Sequence, residues 1–553
     1  MHLWERLKSY CLTSWHPYLV LIILGALVFG RAIWFGYTYL DDDLLILKHF
    51  GSISSLSKCV SAFWTPYFGP YYRPVITVSL ILDAQISGTS AWMYHCSNVL
   101  YHLIASCLVF SLLSRLQFSG VIAFFASVLF TISPIVTQSV AWIPGRNDSL
   151  LAIFSLLSCI SLMRFATTER THVFVIHLLL FLLCLLTKES ALALPFLCLY
   201  VLWFLQRVPV VSMKSAAFVA GWSLMILVWY LMRRTAIEGI QQQYTASAFI
   251  SNLRVIIELM GKMVLPLRMS PYPTFDPASL VLGIVAGAVI ATLLIAYRPA
   301  RNRLGLFALL WFLLFILPSL FFSVDDVEHR FRYLESRAYV SVIGLSIFVA
   351  VLFQTRRPRH DGPVSRFLVL LVPMYALIAV DYSSVYKDPL SHWSRAVQMS
   401  PNSDRAYFNL AIVETEVEKD PGQAVESYKK AIALNPANSE YHNNLGILYG
   451  RRGALDQAES EFNEAVRLDS SYPLPRSNLG YLYYLRDDLQ TAEKHLKEAL
   501  LLDSNLTNAQ VWLANLYSRE QKYDEMHYYI ERLQRAGIKL DSATAGRQDT
   551  LRK

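Results

Sequence analysis

Charged residues are scarce in this sequence. Its 553 residues include 49 basic and 41 acidic ones, which is 16% of the chain, whereas a soluble globular protein carries about 25%. Hydrophobic residues make up 54% and the mean hydropathy is +0.37. This composition excludes a disordered chain, a fibrous repeat and an ordinary soluble enzyme.

The shortage of charge is confined to the first two-thirds of the chain. Residues 1–381 hold 28 basic and 17 acidic residues, and residues 382–553 hold 21 and 24. The first part is too apolar for a soluble domain, and the second has the composition of one. Because the basic residues do not gather in the soluble part, we expect no nucleic-acid partner.

Cysteine is absent from the soluble part, and the sequence contains no Cys-x-x-Cys pair. All seven cysteines lie within the first 198 residues, mostly inside apolar runs. We expect them to be buried small hydrophobic residues.

About eleven apolar runs are long enough to cross a membrane, which requires roughly 20 residues of helix. The runs lie near 17–36, 92–114, 119–140, 148–165, 172–187, 190–206, 214–233, 278–297, 304–323, 338–354 and 364–381. With the N-terminus inside, the inner segments carry 14 basic and 3 acidic residues, and the outer segments of residues 1–381 carry 14 of each. The positive-inside rule favours this orientation. Everything after residue 381 is then predicted to lie outside the cytoplasm, in the periplasm or an organelle lumen.

The soluble part repeats itself with a period of 34 residues. Leucine recurs at Leu445, Leu479 and Leu513, and one tyrosine and two alanine positions keep the same step. This is the tetratricopeptide pattern, which folds as an α-solenoid of helix pairs. We predict four repeats, near 404–437, 438–471, 472–505 and 506–539.

Polar side chains also gather in the predicted outer loops of the membrane part, where an ionisable group near a spanning helix is a functional candidate. The candidates are Asp41, Asp42, Asp43, Arg73, His95, Asn98, His102, Arg146, Asp148, Lys188, Glu189, Glu335 and Arg337. Three adjacent aspartates repel one another, and a carboxylate with a raised pKa suits a general base. Arginine and lysine suit a phosphate group.

Some of the same residues could have structural roles instead of functional ones. Asp148 could cap the fourth spanning helix, and Lys188 could pair with Glu189. His95, Asn98 and His102 share a helical face and could form a hydrogen-bonded row within the bundle. No metal site is predicted there, because no carboxylate or cysteine completes the ligand set.

A carboxylate and several cations at the outer membrane edge fit the chemistry of a lipid-linked sugar phosphate. The cations would hold the phosphate and stabilise it as it leaves. The carboxylate would take the proton of an acceptor hydroxyl. Helices of the bundle would provide an apolar groove for the lipid, and the repeats a groove for a protein acceptor.

The chain resembles the transmembrane and tetratricopeptide-repeat-containing O-mannosyltransferases and their bacterial relatives, within the GT-C superfamily of glycosyltransferases. The matching features, in chain order, are Asp41-Asp42-Asp43, Tyr72-Arg73-Pro74, His95-x-x-Asn98-x-x-x-His102, Ser133-Pro134-Ile135-Val136-Thr137, Gly145-Arg146-Asn147-Asp148, Lys188-Glu189 and Trp393. The resemblance implies an inverting transfer of mannose or another hexose from a polyprenyl phosphate to a Ser or Thr hydroxyl.

The resemblance also implies roles for individual residues. One of Asp41 and Asp42 would be the catalytic base, and Arg73, Arg146 and Lys188 would hold the phosphate. The remaining substrate-binding candidates are Asp43, His102, Asp148, Glu189 and Arg337. The acid of the last outer loop departs from the family pattern, because it stands two residues before Arg337 in Glu335-Ser336-Arg337 rather than one. The repeats also number about four, fewer than in the eukaryotic members, which favours a bacterial relative.

The predicted organisation is an all-α protein: a polytopic helical membrane bundle of GT-C type over 1–381, a connector over 382–403, the repeat solenoid over 404–540 and a polar tail over 541–553. The lipid-linked donor is the one predicted cofactor, and a divalent metal held by the three aspartates is left open as an alternative. Predicted partners are that donor, a protein acceptor and membrane lipids. We expect a bacterial inner membrane with periplasmic repeats, or the endoplasmic reticulum with lumenal repeats. A non-catalytic repeat scaffold and a lipid-linked oligosaccharide transferase are the alternatives.

Overall fold

Every regular element of the described residues is a helix, so the all-α prediction is confirmed. The computed structural model describes residues 15–67, 69, 71–238, 246–296, 303–321, 334–354, 362–417 and 420–538. The chain divides into two compact units, Met1–Ser400 and Pro401–Lys553. Most of the segment predicted as a connector therefore packs with the first unit, and the predicted tail over 541–553 lies outside the described residues.

The first unit is a bundle of mostly apolar helices. Its principal described helices are α1 His16–Phe29, α2 Pro74–Ser87, α3 Trp92–Arg115, α4 Gly120–Thr131, α5 Arg146–Thr168, α6 Thr171–Thr187, α7 Glu189–Leu205, α8 Met213–Ala236, α9 Ala246–Val264, α10 Pro277–Ala296, α11 Arg303–Ile316, α12 Tyr339–Gln354, α13 Gly362–Ser383 and α14 Pro389–Met399. Helices of this composition satisfy their backbone hydrogen bonds internally, as a bilayer requires.

Each of the eleven predicted runs contains helix, but the number of spans stays a prediction. Within the described residues, six helices are long and apolar enough to cross a membrane, or seven if α4 and the short helix after it form one span bent by 47°. The shorter apolar helices include α2, α6 and α7. Helices α2 and α9 fall between the predicted runs, so the segments read as outer loops are partly helical.

Close backbone packing holds the bundle together at small residues. A Cβ atom added to Gly344 on α12 would lie 2.6 Å from the carbonyl oxygen of Ala308 on α11. Only glycine allows so close an approach of α11 and α12. Because the two helices lie so close, the indole N–H of Trp311 donates a hydrogen bond to the Val340 carbonyl, at 2.9 Å. Small residues serve this purpose where helices pack inside membranes.

The second unit is a row of helix pairs. The helices are α15 Asp404–Glu416, α16 Pro421–Leu434, α17 Ser439–Arg451, α18 Leu455–Leu468, α19 Pro473–Leu485, α20 Leu489–Leu502, α21 Thr507–Arg519 and α22 Tyr523–Arg535. Gly446 and Gly480 lie against Phe462 and Leu496 of the second helix in each pair, where a Cβ would clash at 2.7 and 2.5 Å. The small positions thus let paired helices approach, as the sequence predicts.

Candidate functional site

A cavity of about 670 Å³ opens in the first unit beside several helix ends. Its wall comes from residues near the start of α2, α5, α7 and α12 and from the ends of α8 and α11, all of which the predicted orientation assigns to the outer side. The charged residues of the lining are Arg73, Asp148, Lys188, Glu189, Arg233 and Arg337. Five of these six are among the residues singled out in the sequence.

Local sequence explains how Arg73 reaches the cavity. Pro74 occupies the first turn of α2, where its missing N–H leaves no bond unmade. A residue before proline is kept out of the helical region, and Arg73 has φ −142° and ψ 63°. The buried Tyr72 anchors the turn, since its hydroxyl donates to the Phe63 carbonyl at 2.8 Å.

Two ion pairs cross the cavity. Lys188 Nζ lies 2.5 Å from Asp148 Oδ1, and Arg73 Nη2 lies 3.2 Å from Glu189 Oε2. The alternative in which Lys188 pairs with Glu189 is not found, because Lys188 adopts an extended backbone conformation between α6 and α7. Adjacent residues in extended chain point in opposite directions. Asp148 lies in the first turn of α5 without a side-chain hydrogen bond at its cap, so its observed role is the pair with Lys188.

The pKa values of the two paired cations move in opposite directions. Burial lowers the pKa of Lys188, and the neighbouring Asp148 offsets only part of that effect. Burial alone would lower the pKa of Arg73 as well, but Glu189, Tyr71 and Tyr67 raise it overall. Both side chains therefore sit where water is largely excluded and where an anion would be held strongly.

Two further arginines line the cavity. Arg337 Nη1 donates to the Ser319 carbonyl at 3.2 Å, and Arg233 lies over the ring of Trp229, 5.6 Å from its centroid. Sequence reasoning missed Arg233 and Trp229. Their spacing of four residues at the outer end of α8 was the available signal, because it puts both on one helical face. The six charged lining residues comprise four cations and two carboxylates.

Most of the rest of the cavity wall is apolar. It includes Leu192 and Phe196 of α7, Leu314 and Phe315 of α11, and Phe321. Phe196 is 64% exposed within the protein, which is expected of a side chain that faces lipid. The cavity thus combines a cationic end with an apolar wall.

The three consecutive aspartates have different environments. The carboxylate of Asp42 is fully buried: its Oδ2 accepts from the Thr38 N–H at 2.8 Å and its hydroxyl at 3.0 Å, and its Oδ1 accepts from the Asp43 N–H at 3.1 Å. Asp43 pairs with Lys48 at 3.3 Å. Within the described part of the chain, no hydrogen bond or ion pair engages the carboxylate of Asp41, which is partly exposed.

Burial raises the pKa of Asp41 to about 7, and the neighbouring Asp42 and Asp43 add to the increase. Burial also raises the pKa of Asp42, to about 6, although the Thr38 hydrogen bonds oppose it. A carboxylate with a pKa near neutrality and no committed partner has the properties of a general base. Asp41 meets both conditions, whereas Asp42 serves as a local anchor for the backbone.

Tyr67 belongs to the same predicted outer loop as Asp41 and Arg73. Burial raises the pKa of its phenol to about 12, Arg73 and Arg146 lower it, and Asp41 raises it further. Its hydroxyl is buried with no hydrogen-bond partner among the described residues. The pKa of one phenol thus responds to both Asp41 and Arg73, although Asp41 is not among the described residues that line the cavity.

Arg146 is not in the cavity wall, contrary to its predicted phosphate role. Its guanidinium is fully buried and pairs with Asp83 at 2.7 Å. It also donates to the Ser79 hydroxyl at 3.1 Å and the Tyr94 carbonyl at 2.8 Å. These contacts tie α5 to α2 and α3 and leave the charge compensated within the protein.

The predicted row on α3 has a structural role. His102 is buried between the Tyr339 hydroxyl and the Thr131 carbonyl, each at 2.8 Å, so it cannot contact a substrate in the cavity. Asn98 donates to the Trp142 carbonyl at 2.9 Å and the Ile143 carbonyl at 3.2 Å. These bonds hold the turn that leads into α5. The row is therefore hydrogen bonded within the bundle, which is the structural alternative given for it from the sequence.

Comparison with known proteins gives matches in both units. Two tetratricopeptide-repeat families match, TPR_11 over residues 422–453 and TPR_8 over residues 439–472. A Caenorhabditis elegans protein O-mannosyl-transferase is 28% identical over 66% of this chain and 54% of its own length. Human protein O-mannosyl-transferase TMTC1 is 22% identical over 68% of this chain and 49% of its length. The chain thus spans about half the length of these curated relatives.

Solved structures of TPR proteins resemble about a third of the chain. A thermophilic TPR protein of Thermus thermophilus is 25% identical over 34% of this chain and 97% of its own length, with a TM-score of 0.25. YrrB, described as a TPR protein with an unusual peptide-binding site, is 15% identical over 32% of this chain and 89% of its own, also with a TM-score of 0.25.

The resemblance predicted from the motifs is confirmed, whereas a bacterial origin stays a prediction. The chain is homologous, over about two-thirds of its length, to the transmembrane and tetratricopeptide-repeat-containing protein O-mannosyl-transferases.

Proposed function

We propose that this protein transfers mannose from a polyprenyl-phosphate donor to a Ser or Thr hydroxyl of a protein, on the outer or lumenal face of a membrane. The observation that carries the proposal is the cavity of about 670 Å³, which joins a cluster of cations to an apolar wall. A lipid-linked sugar phosphate has the same two parts. The homologous protein O-mannosyl-transferases support mannose as the sugar.

The donor phosphate would lie between Arg73, Lys188 and Arg337, which approach from three different elements. The lipid would run along the apolar wall formed by α7, α8 and α11. Glu189 accepts from Arg73 through one oxygen, and its second oxygen is buried with no hydrogen-bond partner among the described residues. That oxygen is suited to accept a hydrogen bond from a sugar hydroxyl.

The reaction would be a single displacement with inversion at the sugar. The acceptor oxygen forms a bond to C1 of mannose while the bond between C1 and the phosphate oxygen breaks. Asp41 takes the hydroxyl proton, and the electron pair of the broken bond leaves with the polyprenyl phosphate. Arg73 and Lys188 stabilise the charge that grows on that phosphate.

The repeats would bind the acceptor protein. The first helices α17, α19 and α21 contact one another directly, which is typical of the inner side of a repeat superhelix. On them, Asn478 donates to Asn443 at 2.8 Å, and the rings of Tyr481 and Trp512 stack at 4.0 Å between centroids. Asn443 is buried, but Asn478 and both rings are partly exposed, and such groups suit an extended polypeptide.

The test is sugar transfer by the full chain in lipid nanodiscs. Polyprenyl-phosphate mannose and polyprenyl-phosphate glucose would be supplied in parallel, with membrane and secretory proteins as acceptors. Labelled mannose on Ser or Thr of a protein supports the proposal, and its anomeric configuration tests inversion. A lipid-linked oligosaccharide would be supplied as a third donor. Folded protein that transfers no sugar from any of the three contradicts the proposal and favours the scaffold, and transfer only of the preassembled oligosaccharide favours the oligosaccharide transferase.

Replacing Lys188 with methionine is expected to weaken binding of polyprenyl phosphate by about tenfold or more. A hydrogen bond to a charged group contributes about 1.5–3 kcal/mol, and each 1.4 kcal/mol is a factor of ten. Affinity would be measured by titrating the lipid into nanodiscs that contain the protein. Lys214→Met is the matched control, because Lys214 also pairs with a carboxylate at 2.5 Å but is half-exposed and lies outside the cavity. Equal affinities of the two variants contradict the phosphate role.

The pH profile of kcat/KM is expected to rise with pH and level off above about 7. Asp41 acts as a base only when it is ionised, and burial raises its pKa to about 7. Because the pKa is higher in the folded protein than in the unfolded chain, the contribution of Asp41 to stability runs the other way and falls as pH rises from about 4 to about 7. Initial rates at low donor concentration measure the profile, and a flat profile between about pH 5 and 8 contradicts it.

A further inference from the structure

Glu335 is the acid that stands one position away from its expected place in the last outer loop. Its side chain is fully buried and does not line the cavity. It begins the short 3-10 turn Glu335–Ala338, which also carries Arg337. Residues two apart in such a turn point in different directions, so Glu335 faces the protein while Arg337 faces the cavity.

Three separate parts of the bundle hold the Glu335 carboxylate. Oε1 accepts from Lys262 Nζ of α9 at 2.7 Å and from the Ser270 N–H at 3.1 Å, and Oε2 accepts from the Tyr382 hydroxyl of α13 at 2.9 Å. Tyr382 is hydrogen bonded in turn to Tyr386, at 3.1 Å. A buried carboxylate is tolerated only when its oxygens are satisfied in this way.

The residue between the acid and the arginine is held as well. The Ser336 N–H donates to Gln138 Oε1 at 2.8 Å, and Gln138 Nε2 donates to the Pro271 carbonyl at 3.0 Å. The turn is therefore held at two points, the Glu335 side chain and the Ser336 backbone N–H. Arg337 leaves it toward the cavity and reaches the Ser319 carbonyl at 3.2 Å.

We infer that Glu335 is a positioning residue that fixes the turn bearing Arg337, so that this guanidinium is preorganised for the donor phosphate. The inference rests on the proposed function, because it assumes that the cavity binds a lipid phosphate. A long arginine side chain on an unanchored turn would lose more conformational entropy on binding.

The test is a double-mutant cycle on the full chain in nanodiscs, with sugar-free polyprenyl phosphate as the probe. Glu335→Gln and Arg337→Gln are each expected to weaken binding by about tenfold. The double variant is expected to bind about as weakly as Arg337→Gln alone, because both changes remove the same interaction. A purely structural role predicts losses that multiply.

Two further variants complete the test, one a milder change at Glu335 and the other a control. Tyr382→Phe removes one hydrogen bond from Glu335 without leaving a charge unpaired. It is expected to weaken binding of polyprenyl phosphate by about threefold. This variant carries the test if Glu335→Gln does not fold. Glu414→Gln neutralises another buried glutamate, in the repeats, and is expected to bind the probe like the wild-type protein.

The outcomes separate this inference from the proposed function. Losses that multiply in the double variant, or wild-type affinity in both Glu335→Gln and Tyr382→Phe, overturn the positioning role and leave the transferase proposal standing. Failure of the folded wild-type protein to bind polyprenyl phosphate overturns both. Binding of the probe without any sugar transfer overturns only the transferase.

Discussion

Replacing Asp41 with asparagine is expected to lower the rate of sugar transfer by about 10²–10⁴-fold, which is the usual contribution of a general base. Asparagine has nearly the same shape but cannot take the proton of the acceptor hydroxyl. Binding of polyprenyl phosphate is expected to stay close to that of the wild-type protein, because no hydrogen bond or ion pair of the described residues engages the Asp41 carboxylate. Thermal stability at neutral pH is expected to rise rather than fall, because asparagine removes a carboxylate whose ionised form burial disfavours. Initial rates with polyprenyl-phosphate mannose measure the effect.

Asp42→Asn is the informative comparison, since it changes the adjacent carboxylate in the same way. Asp42 accepts three hydrogen bonds from Thr38 and Asp43, and asparagine cannot accept all of them. We therefore expect a loss of stability of about 1–3 kcal/mol and a smaller effect on the rate. Asp381→Asn, at a side chain 71% exposed, controls for charge alone. A stable but inactive Asp42→Asn protein, with activity retained in Asp41→Asn, would assign the base to Asp42.

Replacing Arg146 with methionine is expected to destabilise the protein by about 3–5 kcal/mol, the usual cost of leaving one member of a buried ion pair uncompensated. Asp83, its partner at 2.7 Å, is itself buried and would lose the cation that compensates it. The three-way contact between α2, α3 and α5 would also lose two hydrogen bonds. Thermal unfolding in detergent measures the change.

A second substitution separates this structural role from phosphate binding. Replacing Asp83 with asparagine in the Arg146→Met background removes the uncompensated charge and is expected to restore part of the lost stability. If Arg146 held the donor phosphate instead, Arg146→Met would fold with normal stability and bind polyprenyl phosphate poorly. If the role of Arg146 is structural, the folded fraction of the double variant should bind polyprenyl phosphate with nearly wild-type affinity.

Local patterns in the sequence determined the helices and the repeats, and they predict an outer-face position for the polar motifs. A 34-residue period and a run of 20 apolar residues are properties of neighbouring positions, and they set which residues share a helix face. Loop charge adds the orientation. For this reason Arg73, Lys188, Glu189 and Arg337 could be selected as one group before the fold was known, and the repeat helices begin close to their predicted positions.

Tertiary structure alone decided which charges meet. Lys188 pairs with Asp148 across 40 positions and Arg73 with Glu189 across 116, although Lys188 and Glu189 are adjacent in the chain. Within the motif Gly145-Arg146-Asn147-Asp148, Asp148 pairs with Lys188 in the cavity, whereas Arg146 pairs with the buried Asp83. A sequence shows that a charge is present, but its partner and its burial depend on how distant helices pack, and these two properties determine whether the charge holds a substrate or holds the fold.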